Sequence, residues 1–238
     1  MKFKTCFLIL TLIVFSCQKE PKVIEGGFNI TVTVENVKNE LPVYLKTQEN
    51  GLLITIDSTT VENDKFEFVG LTDKPAIYGI FLKDFKDAIV LFIENKDITI
   101  EAYKDSLSTS KILGSVTNDL YLDFSKESNR ITSKMNTLFA IFQKARAENN
   151  AEKLEEINAK MRVINNENTK FALKYAKENP NSYVAALALH SVLGIPSIAN
   201  DSVTDIYNSF SDYVKKGDYS KKIELFLEST QKIDSIQN

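Results

Sequence analysis

Two hydrophobic periods divide this chain. From Gly26 onward the period is two. Phe28, Ile30, Val32 and Val34 alternate with Asn29, Thr31, Thr33 and Glu35, which predicts a strand with one buried face. Leu41, Val43 and Leu45 repeat the pattern, and Pro42 suits an edge or a strand start. Leu52, Ile54 and Ile56 follow the turn Glu49-Asn50-Gly51, and Phe66 and Phe68 follow the turn Asn63-Asp64. Residues 76–82 and 88–93 are nearly continuous apolar runs. Short and rich in β-formers, they predict central strands covered on both faces, although a helix remains open for 88–93. Glu94-Asn95-Lys96-Asp97 turns the chain into Ile98, Ile100 and Ala102, and Ile112-Leu113-Gly114 forms a last short strand. About eight such strands, spaced by roughly 8–12 residues, predict an antiparallel β-sandwich or an open barrel.

After Gly114 the step changes to three and four. Tyr121, Phe124, Ser128, Ile131, Met135, Leu138, Phe142 and Ala145 predict one long helix. Ala147-Glu148-Asn149-Asn150 breaks it, and the stepping resumes at Leu154, Ile157, Met161, Ile164, Asn168, Phe171 and Tyr175. Two such helices joined by a short polar loop predict an antiparallel hairpin. Ser128 and Asn168 fall on its seam. Either they set the register there, or the seam drifts and they face water. Asn179-Pro180 ends the second helix. Ser182 caps a third over 183–193, which Gly194 and Pro196 stop. Ser202-Val203-Thr204-Asp205 resembles a capping box. It opens a fourth helix with Ile206, Tyr207, Phe210, Tyr213 and Val214 on its apolar face. Gly217-Asp218 separates a fifth, marked by Ile223, Phe226, Leu227 and Ile233. The fold class expected is therefore α+β: a sandwich or open barrel over 26–115, then a helical region with a long hairpin over 116–238.

The first residues fit neither period. Met1-Lys2-Phe3-Lys4 is basic, residues 6–15 are mostly apolar, and Ser16 is small. The apolar run is shorter than the roughly 20 residues a membrane span needs, so 1–16 reads as a secretory signal peptide. Val14-Phe15-Ser16-Cys17 resembles the lipobox of bacterial lipoproteins. That resemblance implies a Cys17 that carries acyl chains through its sulfur and becomes the mature N-terminus. Two or more chains give stable anchoring where one does not. An ordinary signal peptide followed by an unrelated cysteine is the competing reading. Residues 17–25 then serve as a polar, proline-containing tether. Gln18 stands where some lipoproteins carry an aspartate that retains them at the inner membrane, so the outer membrane is expected, at its periplasmic face or at the cell surface.

Composition narrows the chemistry. Lys and Arg number 29 against 32 Asp and Glu, and Lys2 and Lys4 would leave with the leader. So acidic a chain is a poor match for nucleic acid. Cys6 and Cys17 are the two cysteines; the first leaves with the leader and the second is capped by lipid. Thiol nucleophiles, disulfide exchange and zinc–thiolate sites are excluded from the mature chain. His190, the single histidine, lies among Leu187, Leu189 and Leu193, and reads as a packing residue. No nucleophile elbow, calcium loop or phosphate loop is present, and no cofactor or metal is expected. Asp57-Ser58-Thr59-Thr60 is a polar cluster after a strand, either a binding loop or, more economically, a turn held by its own side chains. Hydrolysis by a pair of carboxylates is the one enzymatic class that composition leaves open.

Several stretches together resemble a known family. They are Phe28-Asn-Ile-Thr-Val, Val43-Tyr-Leu, Ile56-Asp-Ser-Thr59, Asn63-Asp-Lys-Phe-Glu-Phe-Val-Gly70, Pro75-Ala-Ile-Tyr78, Phe92-Ile-Glu-Asn95, Ile98-Thr-Ile100 and Gly114-Ser115. Their order and spacing resemble the domain of unknown function 4369 over roughly 26–125. Relatives in that family usually continue into a thioredoxin-like domain with a Cys-x-x-Cys pair. The sequence ends at Asn238, so the resemblance implies the front half of such an architecture, and the redox activity does not carry over. The expectation is a non-catalytic, lipid-anchored envelope protein that serves as a binding or interaction module. Its membrane contact is the acyl anchor at Cys17, and a protein partner or a second copy is open. The alternatives are an accessory to a thioredoxin-like oxidoreductase and, less favoured, a carboxylate-dependent glycan hydrolase.

Overall fold

The computed structural model describes residues 24–49 and 51–237. The expected leader, Cys17, most of the tether and Asn50 lie outside the described residues. Eight strands form two four-stranded sheets: β1 (Phe28–Val34), β2 (Pro42–Glu49), β3 (Leu52–Thr60), β4 (Lys65–Gly70), β5 (Ala76–Leu82), β6 (Ile89–Ile93), β7 (Asp97–Ala102) and β8 (Lys111–Leu113). One sheet has the order β4-β1-β7-β8 and the other β3-β2-β5-β6. The sheets stack and are not closed into a barrel. Ile30, Val32, Val43, Leu45, Ile80, Leu91, Ile98 and Ile100 fill the space between them. Asn63 and Asp64 both take positive φ in the β3–β4 turn, a conformation Asn and Asp tolerate.

Three expectations about the strands are corrected. First, the sandwich is not wholly antiparallel: β1 and β7 run parallel, with Ile30 opposite Ile98 and Val32 opposite Ile100. A period of two fixes which face a residue takes, not which way the neighbour runs. Second, β6 is the last strand of its sheet rather than a central one. It is apolar on both faces because Ile89, Leu91 and Ile93 enter the sandwich while Phe92 enters a second core made by the helices. Third, β3 is an edge strand whose apolar residues are largely in water, with Leu52 70% and Ile56 51% exposed. Its register slips opposite Leu45 and Lys46, where Ile56 is the extra residue. Such a bulge reverses the faces of the residues beyond it. Asp57-Ser58-Thr59-Thr60 is thus not a turn but the far half of β3, with Ser58 N–H donating to the Asp57 carboxylate at 2.7 Å.

Seven helices follow: α1 (Val116–Thr132), α2 (Lys134–Ala147), α3 (Ala151–Glu178), α4 (Tyr183–His190), α5 (Asn200–Ser209), α6 (Asp212–Lys215) and α7 (Asp218–Gln237). The single long helix of the sequence reading is α1 and α2 joined at Ser133. There the Thr132 hydroxyl donates to the Ser128 carbonyl (2.9 Å) and the Ser133 hydroxyl to that of Arg130 (3.1 Å). Hydroxyls bonded back to the preceding turn loosen the helical ladder. Asn150 caps α3 by accepting from Lys153 N–H, and the hairpin closes as expected. On its seam the Ser128 hydroxyl donates to Asn168 Oδ1 at 2.9 Å, so the pair faces the partner helix.

Beyond the hairpin, Ser182 caps α4, which ends at His190, three residues before the expected stop. Ser202 is not a cap: α5 begins at Asn200, behind Ala199. Phe210 then leaves the helix in extended backbone, and Ser211 starts α6, its N–H donating to the Pro180 carbonyl at 3.1 Å. The helix expected through Val214 is therefore two. Its apolar positions Ile206, Phe210 and Val214 still reach one core, because burial depends on where side chains point and not on an unbroken ladder.

Candidate functional site: a groove between the sheet and the last helix

A polar knot ties the last strand of one sheet, β6, to the first helix, α1. Asn118, fully buried in the first turn of α1, accepts from Phe92 N–H and donates to the Phe92 carbonyl, both at 2.8 Å. One side chain thus satisfies the free edge of β6, whose backbone would otherwise be buried unpaired. Ser115 caps α1 by accepting from Asn118 N–H, and donates to the Glu94 carboxylate at 2.6 Å. Thr117 donates to the other oxygen of Glu94 at 3.2 Å. Glu94, the one buried carboxylate among the described residues, is held by these two hydroxyls, with Lys96 at 3.5 Å. Gly114 makes the entry: its φ is +91°, and a Cβ there would collide with the Asp97 carbonyl. Asn95 repeats the device on the β4–β5 loop, accepting from Thr72 N–H and donating to its carbonyl.

Helix α1 covers one end of the outer face of the sheet β3-β2-β5-β6, with Tyr121 edge-on to Phe92. The next row of that face stays open. Lys46 lies opposite Gly79, and Gly79 opposite Val90. A Cβ on Gly79 would lie 2.6 Å from the Phe81 ring, so the glycine lets that ring fold over the strand. Tyr44 lies opposite Phe81 on the neighbouring strand. The Lys46 ammonium sits 5.3 Å from the ring centres of both Tyr44 and Phe81.

Helix α7 forms the other wall through Asp218, Tyr219 and Lys222. Asp218 and Lys222 are four residues apart and share a helix face. Asp218 pairs with Lys74 of the β4–β5 loop, and the Lys222 ammonium lies 5.3 Å from the Tyr219 ring centre. Tyr219 also packs on His190, with ring centres 5.2 Å apart. Burial lowers the His190 pKa from 6.5, and the Lys222 charge lowers it further. Burial raises the Tyr219 hydroxyl above 10.0, with smaller contributions from Tyr121 and Asp218. The groove encloses about 320 Å³, with Leu53, Ile77, Phe81 and Val90 giving it an apolar floor. Another hollow, about 350 Å³, lies among Val192, Ile195, Pro196, Ile198, Val203 and Phe226, and offers no charged side chain to a ligand.

Of the residues singled out from sequence, His190 stands behind the groove wall, Asp57 and its neighbours lie along β3, and Cys17 lies outside the described residues. Tyr44, Lys46, Phe81, Val90, Tyr219 and Lys222 were not singled out. One local signal pointed there: Gly79 interrupts an otherwise apolar strand, a mark of close approach over its face. Among the described residues, no three His, Cys, Asp or Glu side chains gather as metal ligands would.

Residues 28–121 match the family model described as Domain of unknown function (DUF4369). Over that stretch the chain is similar to DUF4369. The match takes in all eight strands and ends inside α1, so the matched stretch includes the polar knot through Asn118 and Tyr121. The floor of the groove belongs to this stretch, while the wall of α7 comes from beyond it. Neither the curated proteins nor the solved structures give a match to the chain.

Proposed function

We propose that the protein is a non-catalytic, lipid-anchored component of the cell envelope, held at the outer membrane through Cys17, that binds a small molecule in the groove between its DUF4369-like domain and α7. The groove carries the binding part of this reading. It joins an apolar floor to a few polar groups, and its volume lies at the lower end of the roughly 300–1,000 Å³ usual for ligand sites. It also lies where two structural units meet, a common place for such sites. Favouring a non-catalytic role, the chain after Cys17 has no thiol, and its single imidazole is engaged with Tyr219. The anchor rests on the lipobox-like stretch before Cys17. Among the described residues no helix is long and apolar enough to cross a membrane.

Two measurements test the two parts. In fractionated cells the wild-type chain should pellet with the envelope and Cys17→Ala should not; retention of Cys17→Ala with the membrane contradicts the anchor. In a fragment screen followed by amide chemical shifts, binders should cluster their perturbations on Lys46, Gly79, Val90 and Tyr219. Binders that all perturb other surfaces contradict the groove.

A further inference from the structure

We propose that the groove selects an amphipathic anion: a small organic acid whose apolar body lies on Leu53, Phe81 and Val90 and whose acid group meets Lys46 and Lys222. This rests on the groove being a binding site and adds the class of ligand. Among the described residues, Lys46 and Lys222 have no carboxylate within ion-pair distance, whereas Asp218, the one carboxylate of the lining, is engaged by Lys74. Each free ammonium is seated on aromatic rings at the groove, Lys46 on Tyr44 and Phe81, Lys222 on Tyr219. Ring faces attract a cation without neutralising it, so both charges stay available to an anion.

The chain as a whole carries a formal charge of −3, so this groove opposes the average sign of the molecule. With Asp218 paired to Lys74, the charge left over its apolar floor is positive, and such a cleft concentrates ligands of the other sign. The floor sets the second requirement. Inorganic phosphate would leave Leu53, Phe81 and Val90 in water, whereas an aromatic or aliphatic acid covers them.

Isothermal titration of the full chain with naphthalene-2-carboxylate, its neutral amide and naphthalene-2-methylammonium separates these contributions, since the apolar body is common to all three. The carboxylate should bind at one site, roughly fivefold or more tighter than the amide, and the ammonium compound weakest. Lys46→Gln and Lys222→Gln should each weaken the carboxylate by roughly fivefold and leave the amide unchanged, with far-ultraviolet circular dichroism unaltered. Equal affinity for all three compounds, or carboxylate binding indifferent to both substitutions, overturns the charge selection and leaves the groove standing. Binding of none of the three overturns the groove as well.

Discussion

Asn118 joins two parts of the chain 26 residues apart by pairing with both backbone groups of Phe92. Asn118→Ala would leave a buried N–H and a buried carbonyl without partners. Each unmet group costs about 1–3 kcal/mol, so urea unfolding should show a loss of at least about 2 kcal/mol. Asn118→Asp keeps an acceptor for Phe92 N–H and should lose less only if its acid is protonated. His190 gives the residue scale its pH dependence. Its folded pKa lies below the unfolded 6.5, so the unfolded chain binds the extra proton first. Stability attributable to His190 is complete above about 6.5 and falls as pH drops toward the folded pKa. Thermal melts at pH 7.5 and 5.5 should therefore differ less in His190→Gln than in the wild type. The sequence made His190 legible as a packing residue because Leu187 and Leu189 flank it. It gave no sign of Tyr219, which comes from another helix.

Among the elements, β3 and β7 carry apolar residues at the same spacing and meet opposite fates. Ile100 of β7 is fully buried, while Ile56 of β3 is about half exposed. Ile100→Ala should cost about 2–5 kcal/mol and Ile56→Lys no more than about 0.5 kcal/mol, both read from denaturant midpoints. Equal losses at the two sites would mean that β3 is covered. Periodicity could not separate them, because alternation records a strand's two faces and not its place in the sheet. The same limit hid the parallel pairing of β1 with β7. Helix content was more legible, since the three-and-four stepping is local. What failed there was continuity: hydroxyls at Thr132, Ser133 and Ser211 interrupt ladders that apolar spacing alone would carry through.

For the molecule as a whole, the division into a strand-rich front and a helical rear follows from the change of period at Gly114. Beyond the glycine at Gly79, no local pattern marks the groove. Its floor comes from β2, β3, β5 and β6 and its wall from α7, so its residues span Lys46 to Lys222 and meet only after both halves dock. The polar knot of Glu94, Ser115 and Asn118 holds β6 to α1, and Lys74 of the β4–β5 loop pairs with Asp218 of α7. Phe92-Ile-Glu-Asn95 and Gly114-Ser115 hold part of the knot, but Asn118 lies beyond both stretches and nothing local pairs it with Phe92. Val90→Asp, which places a negative charge on the floor, should abolish binding of naphthalene-2-carboxylate in the same titration while the melting temperature changes little, since Val90 is 40% exposed. Undiminished binding would move the ligand elsewhere.

The proposed anchor at Cys17 would decide where such a groove works, and mass spectrometry of the chain extracted from membranes tests it most directly. A lipid-anchored protein gives an N-terminal peptide that begins at Cys17 and carries a diacylglyceryl mass on its sulfur. A chain whose first residue is unmodified, or whose Cys17 is a free thiol within a longer N-terminus, contradicts it.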